Sequence, residues 1–307
     1  MSDNFKKKKG IVVNYLASDL LQLKKGDRLL SISEYQNKYH TSRGTVQNAF
    51  AYLKEEDAVK TKSHGHLGTF VEDIDYFILQ KFAISESILG TMTLPYSKLY
   101  EGLATGIYEA FKDNKIALNM AYIRGSKERI HSISQKTYRF AVVSRFAAKQ
   151  AVKQNEHIDI VVDFGNHTYL SEHVLLFSEP EKKEITDNMR VAIDYDSFDQ
   201  YILTQKMVEG KNVILVPMPG HQIIFALKNG IIDAGVWNFD EINDRAYPDI
   251  YYSKISEEDI DLDMSASVII CHNEDSSMKA IFKKNINKSK ILDIQNKVKK
   301  GEIIPSY

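Results

Sequence analysis

Val12, Leu16, Leu20 and Leu23 recur at the spacing of one apolar helix face, which predicts an amphipathic first helix. Lys24-Lys25-Gly26-Asp27 ends it, with Gly26 supplying the loose backbone that a helix exit favours. Ser31-Ile32-Ser33-Glu34 has the form of a capping box, in which Ser31 accepts from the amide of Glu34 and Glu34 reaches back. A short second helix to about Tyr39 follows. His40-Thr41 turn the chain, and Ser42 caps a third helix, Arg43 to Glu55, with Val46, Ala49, Phe50 and Leu53 as its inward stripe. The period then changes. Ala58 to Lys62 alternates like a strand, Leu67 to Val71 reads as its partner, and Ser63-His64-Gly65-His66 lie between them. Three helices followed by a hairpin is the order of a winged helix.

Glu72 to Ala83 reads as a helical connector whose apolar residues, Ile74, Phe77, Ile78 and Phe82, face either the rest of the chain or a second subunit. From about Ile84 strands alternate with helices. Ser87–Leu94, Ile116–Ile123 and Phe140–Val143 are strand-like, with helices after Pro95-Tyr96-Ser97, Arg124-Gly125-Ser126 and Ser144-Arg145. Met189–Ile193, Val213–Val216 and Gly230–Asn238 continue the alternation, with helices at Ser197–Val208 and Pro219–Lys228. This βαβαβ progression implies a mostly parallel sheet. The expected organisation is a head (1–71), a connector (72–83) and an α/β body (84–307).

Charge sharpens the division. Residues 1–70 carry 12 Lys+Arg against 7 Asp+Glu, whereas the remainder carries 28 against 34. A basic head on an acidic body points to a polyanion at the head alone. Cys271 is the sole cysteine, which excludes an internal disulfide framework and fits a reducing compartment. The Lys-rich segment Met1 to Gly10 has no apolar stretch behind it, and no apolar run reaches membrane-spanning length, so a cytoplasmic location is expected.

At Gly26-Asp27-Arg28-Leu29, Ser42-Arg43-Gly44-Thr45-Val46 and Gly68-Thr69-Phe70-Val71 the head resembles the GntR family of transcriptional regulators. The resemblance implies double-stranded DNA as partner, with Ser42, Arg43, Thr45 and Gln47 at the start of the recognition helix and His64, Gly65, His66 and Thr69 on the wing. Two positions depart from the family pattern. Ser33 stands where many members carry arginine in the second helix, and Gln47 replaces the usual arginine in the third. Since Gln pairs best with adenine and Arg with guanine, the operator of a relative does not transfer. A winged head covers a short half-site, so a homodimer on a near-palindromic operator is expected.

The body resembles type 2 periplasmic binding proteins at Leu94-Pro95-Tyr96-Ser97, at Gly230-x-x-Asp233-x-Gly235, at a crossover near Asp194–Ser197 and in a closing helix, Ile291–Lys299. The fold class expected is therefore multi-domain: an N-terminal winged helix-turn-helix followed by a bilobal α/β periplasmic-binding-protein-like domain. The combination resembles the YhfZ-like regulators over the whole chain, without identifying an effector. Ligands of open α/β sheets sit beyond the carboxyl ends of the strands. That rule selects Tyr96, Ser97, Arg124, Ser126 and Ser144 in the first half of the body, and Asp194, Ser197, Trp237 and Asn238 in the second. Arg124 is the expected charge anchor for a small anionic effector, with a pair to Glu128 as the competing use.

Catalysis is not expected. Gly102-x-x-x-Gly106 is no dinucleotide or phosphate fingerprint, and neither HExxH, CxxC nor G-x-S-x-G occurs. Cys271 and His272 adjoin on a strand and so point to opposite faces. His64-x-His66 supplies too few ligands for a metal, and no cofactor is expected. A body that only oligomerises the DNA-binding head, with no ligand, stays open as the alternative.

Overall fold

The computed structural model describes residues 2–83, 87–114 and 116–307. The expected start of the body, Ile84, lies outside them. The chain forms two compact units.

In the first unit, α1 (Ser2–Leu20) begins well before the apolar stripe that announced it, so the Lys6–Lys9 run lies on a helical backbone. The capping box forms: Ser31 Oγ accepts from the amide of Glu34 at 3.2 Å, and the amide of Ser31 donates to Glu34 Oε2 at 2.6 Å. It starts α2 (Ile32–Lys38). His40, with φ of 48°, makes the turn into α3 (Arg43–Glu55), and Val46, Ala49, Phe50 and Leu53 are its buried face. β1 (Val59–Ser63) pairs antiparallel with β2 (Thr69–Ile74), and Arg28 adds an isolated bridge to Phe70. Leu16, Leu20, Tyr35 and Val59 join this stripe in one core. The connector needs correction. Glu72–Ile74 continue the wing strand, and the helix α4 starts only at Tyr76 (Tyr76–Phe82), capped by Asp75. Ile74 is 4% exposed within the head core, which removes it from any subunit seam.

Beyond the connector follow β3 (Ile88–Met92), α5 (Lys98–Asp113), β4 (Leu118–Tyr122), α6 (Ser126–Ser134), β5 (Phe140–Ser144), α7 (Arg145–Lys153) and β6 (Ile158–Gly165). The chain then enters a second lobe through β7 (His173–Phe177), β8 (Arg190–Ile193), α8 (Phe198–Val208), β9 (Ile214–Pro217), α9 (Ile223–Lys228), β10 (Ala234–Asn238), α10 (Phe239–Arg245) and β11 (Tyr251–Lys254). It returns with β12 (Ser267–His272) and closes with α11 (Ser276–Asn285) and α12 (Lys288–Lys299). The sheet orders are β4-β3-β5-β12-β6 and β11-β7-β10-β8-β9.

Both sheets are mixed, which corrects the mostly parallel expectation. β3 and β5 run parallel, as do β10, β8 and β9, but β12 is antiparallel to both β5 and β6, and β7 to both β10 and β11. The returning strand enters the middle of the first sheet. All six of its residues are buried, as expected of an apolar run covered on two faces. Gly102 and Gly106 have a packing role: a Cβ on either would meet the backbone of Gln295 or Ile291 in α12 at 2.8 Å. Gln295 adds hydrogen bonds to the carbonyls of Leu99 and Thr168 at 3.0 and 2.8 Å.

The first unit contains more than the N-terminal segment. It gathers Met1–Ile88 with Phe111–Leu118 and Glu274–Ile286. The Phe111 and Phe282 rings meet edge to face at 5.7 Å, and Ala280 packs against the head core. Among the described residues no helix is long and apolar enough to cross a membrane.

Candidate functional site: a polar cavity and a helix-turn-helix head

The carboxyl ends of β3, β4, β8, β9 and β10 surround a cavity of about 70 Å³ in the second unit. Tyr96, Arg124, Ser126 and Asp194 line it, as do Ser197, Trp237 and Asn238. The indole of Trp237 stacks on Tyr96 with centroids 5.2 Å apart and donates to Glu241 Oε2 at 2.8 Å, so one wall is aromatic and held rigid. Arg124 sits at the rim with half its side chain exposed. Its nearest carboxylate is Asp196, at 3.8 Å, rather than Glu128. Gly125 adopts φ of +74°, and a Cβ there would meet the carbonyl oxygen of Asp196 at 2.9 Å, so glycine answers both to the backbone conformation and to the close approach. Ser126 Oγ accepts from the amide of Phe198 at 3.0 Å, which ties the two lobes together at the rim.

Two expected residues do not reach the cavity. Ser97 is buried behind it, its Oγ accepting from the amide of Tyr100 at 3.4 Å at the start of α5. Ser144 caps α7, accepting from Ala147, and donates its proton to Asp199 Oδ1 at 2.8 Å. In both, the hydroxyl that the strand-end rule offered to a ligand is consumed by a helix start.

The structure also brings in residues that the strand-end rule does not reach. Arg129 lies one turn into α6 and is 2% exposed. Nε donates to the carbonyl of Val142 at 3.1 Å, one terminal nitrogen to that of Ile123 at 2.7 Å, and the other to Tyr169 Oη at 2.9 Å. Every one of these acceptors is neutral, and the guanidinium makes no ion pair among the described residues. Asp199 faces the same cavity. Burial pushes its carboxyl up to about 7, against the pull of the Ser144 hydroxyl and the Arg129 charge. His173 is buried, and that burial pushes its imidazole down to about 4. Its Nδ1 and the Nδ2 of Asn238 are buried without any hydrogen-bond partner. Asn238 Oδ1 is occupied as the cap of α10, accepting from Asp240 at 2.8 Å. Buried polar atoms without partners are rare in folded proteins, and two of them line this one cavity.

In the head, Arg43, Gln47 and Asn48 are exposed on the first turns of α3. The hydroxyls of Ser42 and Thr45 hydrogen-bond at 2.8 Å, and Ser42 also caps the helix by accepting from the amide of Thr45. At the wing tip Gly65 has φ of +60°, His64 packs edge-on against Phe70 at 5.3 Å, and His66 is exposed. Between α3 and the wing lies a groove lined by Arg28, Gln47, Lys54, Thr61 and Thr69, with no acidic residue among its lining.

Together these features define a helix-turn-helix protein carrying a body of the periplasmic-binding-protein fold. Residues 24–71 match a helix-turn-helix domain, and residues 75–307 match the YhfZ C-terminal domain. The chain belongs to the YhfZ family. Protein YhfZ of Escherichia coli K12 is 30% identical over 307 residues, covering 100% of both chains. The crystal structure of YhfZ from Shigella flexneri is 29% identical with a TM-score of 0.60, over 76% of this chain and 98% of that one. The aliphatic sulphonate binding protein SsuA of E. coli is 10% identical with a TM-score of 0.53, over 71% of this chain and 75% of that one, a likeness of fold alone.

Proposed function

We propose that this chain is a cytoplasmic transcriptional regulator, a homodimer whose GntR-type winged heads bind a near-palindromic operator and whose body senses a small polar molecule bearing an acidic group. The observation that carries the reading is the cavity at the strand ends, where Arg129, Asn238 and His173 hold unmet polar capacity in a chain that also has a helix-turn-helix. A body serving only as an oligomerisation scaffold has no use for such groups, and burying them unpaired is costly. The GntR assignment draws support from the capped third helix, the glycine at the wing tip and the three sequence signatures. Arg124 moves from anchor to rim, and Arg129 takes its place. Closure of the lobes on the effector re-sets the separation of the two heads. No catalytic role is proposed.

The test is selection of duplexes from a random pool by the full-length protein, followed by binding measurements with and without metabolite mixtures. Enrichment of a two-fold sequence whose affinity changes with a metabolite is the expected result. Absence of any enriched sequence would overturn the regulator reading.

A further inference from the structure

The cavity offers recognition for both signs of charge. On one side is Arg129. A guanidinium has five N–H groups, and three are taken here by neutral acceptors, which leaves two beside the cavity with no carboxylate hydrogen-bonded to them. Asn238 Nδ2 adds further N–H donors with nothing to receive them. This pairing of planar donors fits a carboxylate.

The same cavity also carries acidic groups. Asp194 and Asp199 both line it. Asp199 uses Oδ1 to accept from Ser144, while its Oδ2 accepts no hydrogen bond among the described residues. Asp194 is fixed by the amides of Asp196 and Gly220, at 3.0 and 2.8 Å, which orient both its oxygens at the cavity wall. With Arg124 at the rim, two guanidinium groups stand against two carboxyl groups. A simple anion would satisfy Arg129 and leave two carboxyls facing it. A simple cation would leave the buried arginine unmet.

Size narrows the choice. An apolar cavity of about 150 Å³ accommodates benzene, with its six carbon atoms. A partly open cavity of about 70 Å³ suits a ligand of only a few heavy atoms.

We infer that the cavity takes a small zwitterion, its carboxylate on Arg129 and Asn238 and its ammonium on Asp199 and Asp194. The inference rests on the sensor reading given above and adds the ligand class.

Calorimetry and thermal shift on the full-length protein provide the test. The zwitterionic probes are glycine, β-alanine and both enantiomers of alanine and serine. Their matched controls are acetate, lactate and glycerate, which lack the ammonium, and isopropylamine, which lacks the carboxylate. At least one zwitterion should raise the melting temperature and bind at least tenfold more tightly than its matched controls. Asp199→Asn, which keeps the shape, should cut zwitterion affinity at least tenfold and leave any lactate binding unchanged, and Asp194→Asn should act in the same direction. Binding of lactate or acetate equal to that of the zwitterions keeps the sensor reading and overturns the zwitterion. Failure of every zwitterion to bind also overturns it, as does unchanged affinity in both variants. A metabolite response outside these probes, in the duplex experiment, would then show the sensor reading standing without it.

Discussion

The hydroxyl of Ser144 donates to Oδ1 of Asp199 at 2.8 Å, joining the end of β5 in one lobe to the first turn of α8 in the other. Both residues are buried. Ser144→Ala removes a helix cap and a hydrogen bond to a buried carboxyl, a combined loss of about 2–4 kcal/mol. Urea denaturation should register that loss. A variant as stable as the parent would show that Asp199 finds another donor.

Stability should depend on pH through two opposing groups. Asp199 has its folded pKa raised from 3.8 to about 7, so its contribution is fully present below about 3.8 and is lost as pH rises through 7. His173 has its folded pKa lowered from 6.5 to about 4, so the unfolded chain binds the proton first and stability falls as pH drops from 6.5 toward 4. The two slopes oppose one another between about pH 4 and 6.5. Asp199→Asn should therefore steepen the loss of stability on acidification relative to the parent, measured by denaturant midpoints across that range. Parallel curves for parent and variant would show that Asp199 does not hold the raised value.

DNA binding should separate into reading and attraction. Arg43→Ala is expected to cost about 1–3 kcal/mol at a selected site if the side chain meets a base, with little change on unrelated duplexes. Lys54→Ala, in the groove beside the wing, should weaken all duplexes alike and lower the salt slope by about 1. Fluorescence anisotropy over a salt series distinguishes these patterns, and an unaltered slope would remove Lys54 from the phosphate contacts.

The two arginines of the cavity should behave differently. Arg124→Ala exposes no buried partner and is expected to change ligand affinity about threefold or less. Arg129→Lys retains charge but not the planar fork, and should weaken binding at least tenfold while the three acceptors it serves are partly lost. Calorimetry with whichever probe binds settles the order; a larger effect from Arg124 would return the anchor to the rim.

The head was readable because its signals are local. Ser31 and Glu34 are three residues apart, and the stripe from Val46 to Leu53 lies within one helix. The body was readable only as far as strand ends. The direction of β12 depends on its return from the other lobe, between β5 and β6, and no periodicity records that. Ser97 and Ser144 satisfied the positional rule yet serve helix starts. Arg129 stands in a charged run, Lys127-Glu128-Arg129, which the strand-end rule does not single out. Its helical register with Ser126, Ile130 and Ile133 was the available clue that it faces inward, but its partner Tyr169 is 40 residues away.

The head unit is assembled from three separate stretches of chain, Met1–Ile88, Phe111–Leu118 and Glu274–Ile286. A recombination event that transplants a DNA-binding head onto a new sensor usually needs a single junction. Here a break after residue 83 would strip away the cover that Ala280 gives the core. Exchange of this unit as a whole would require five junctions, at the inner ends of its three stretches, to move together, so a single-crossover swap of the N-terminal segment leaves part of its packing behind.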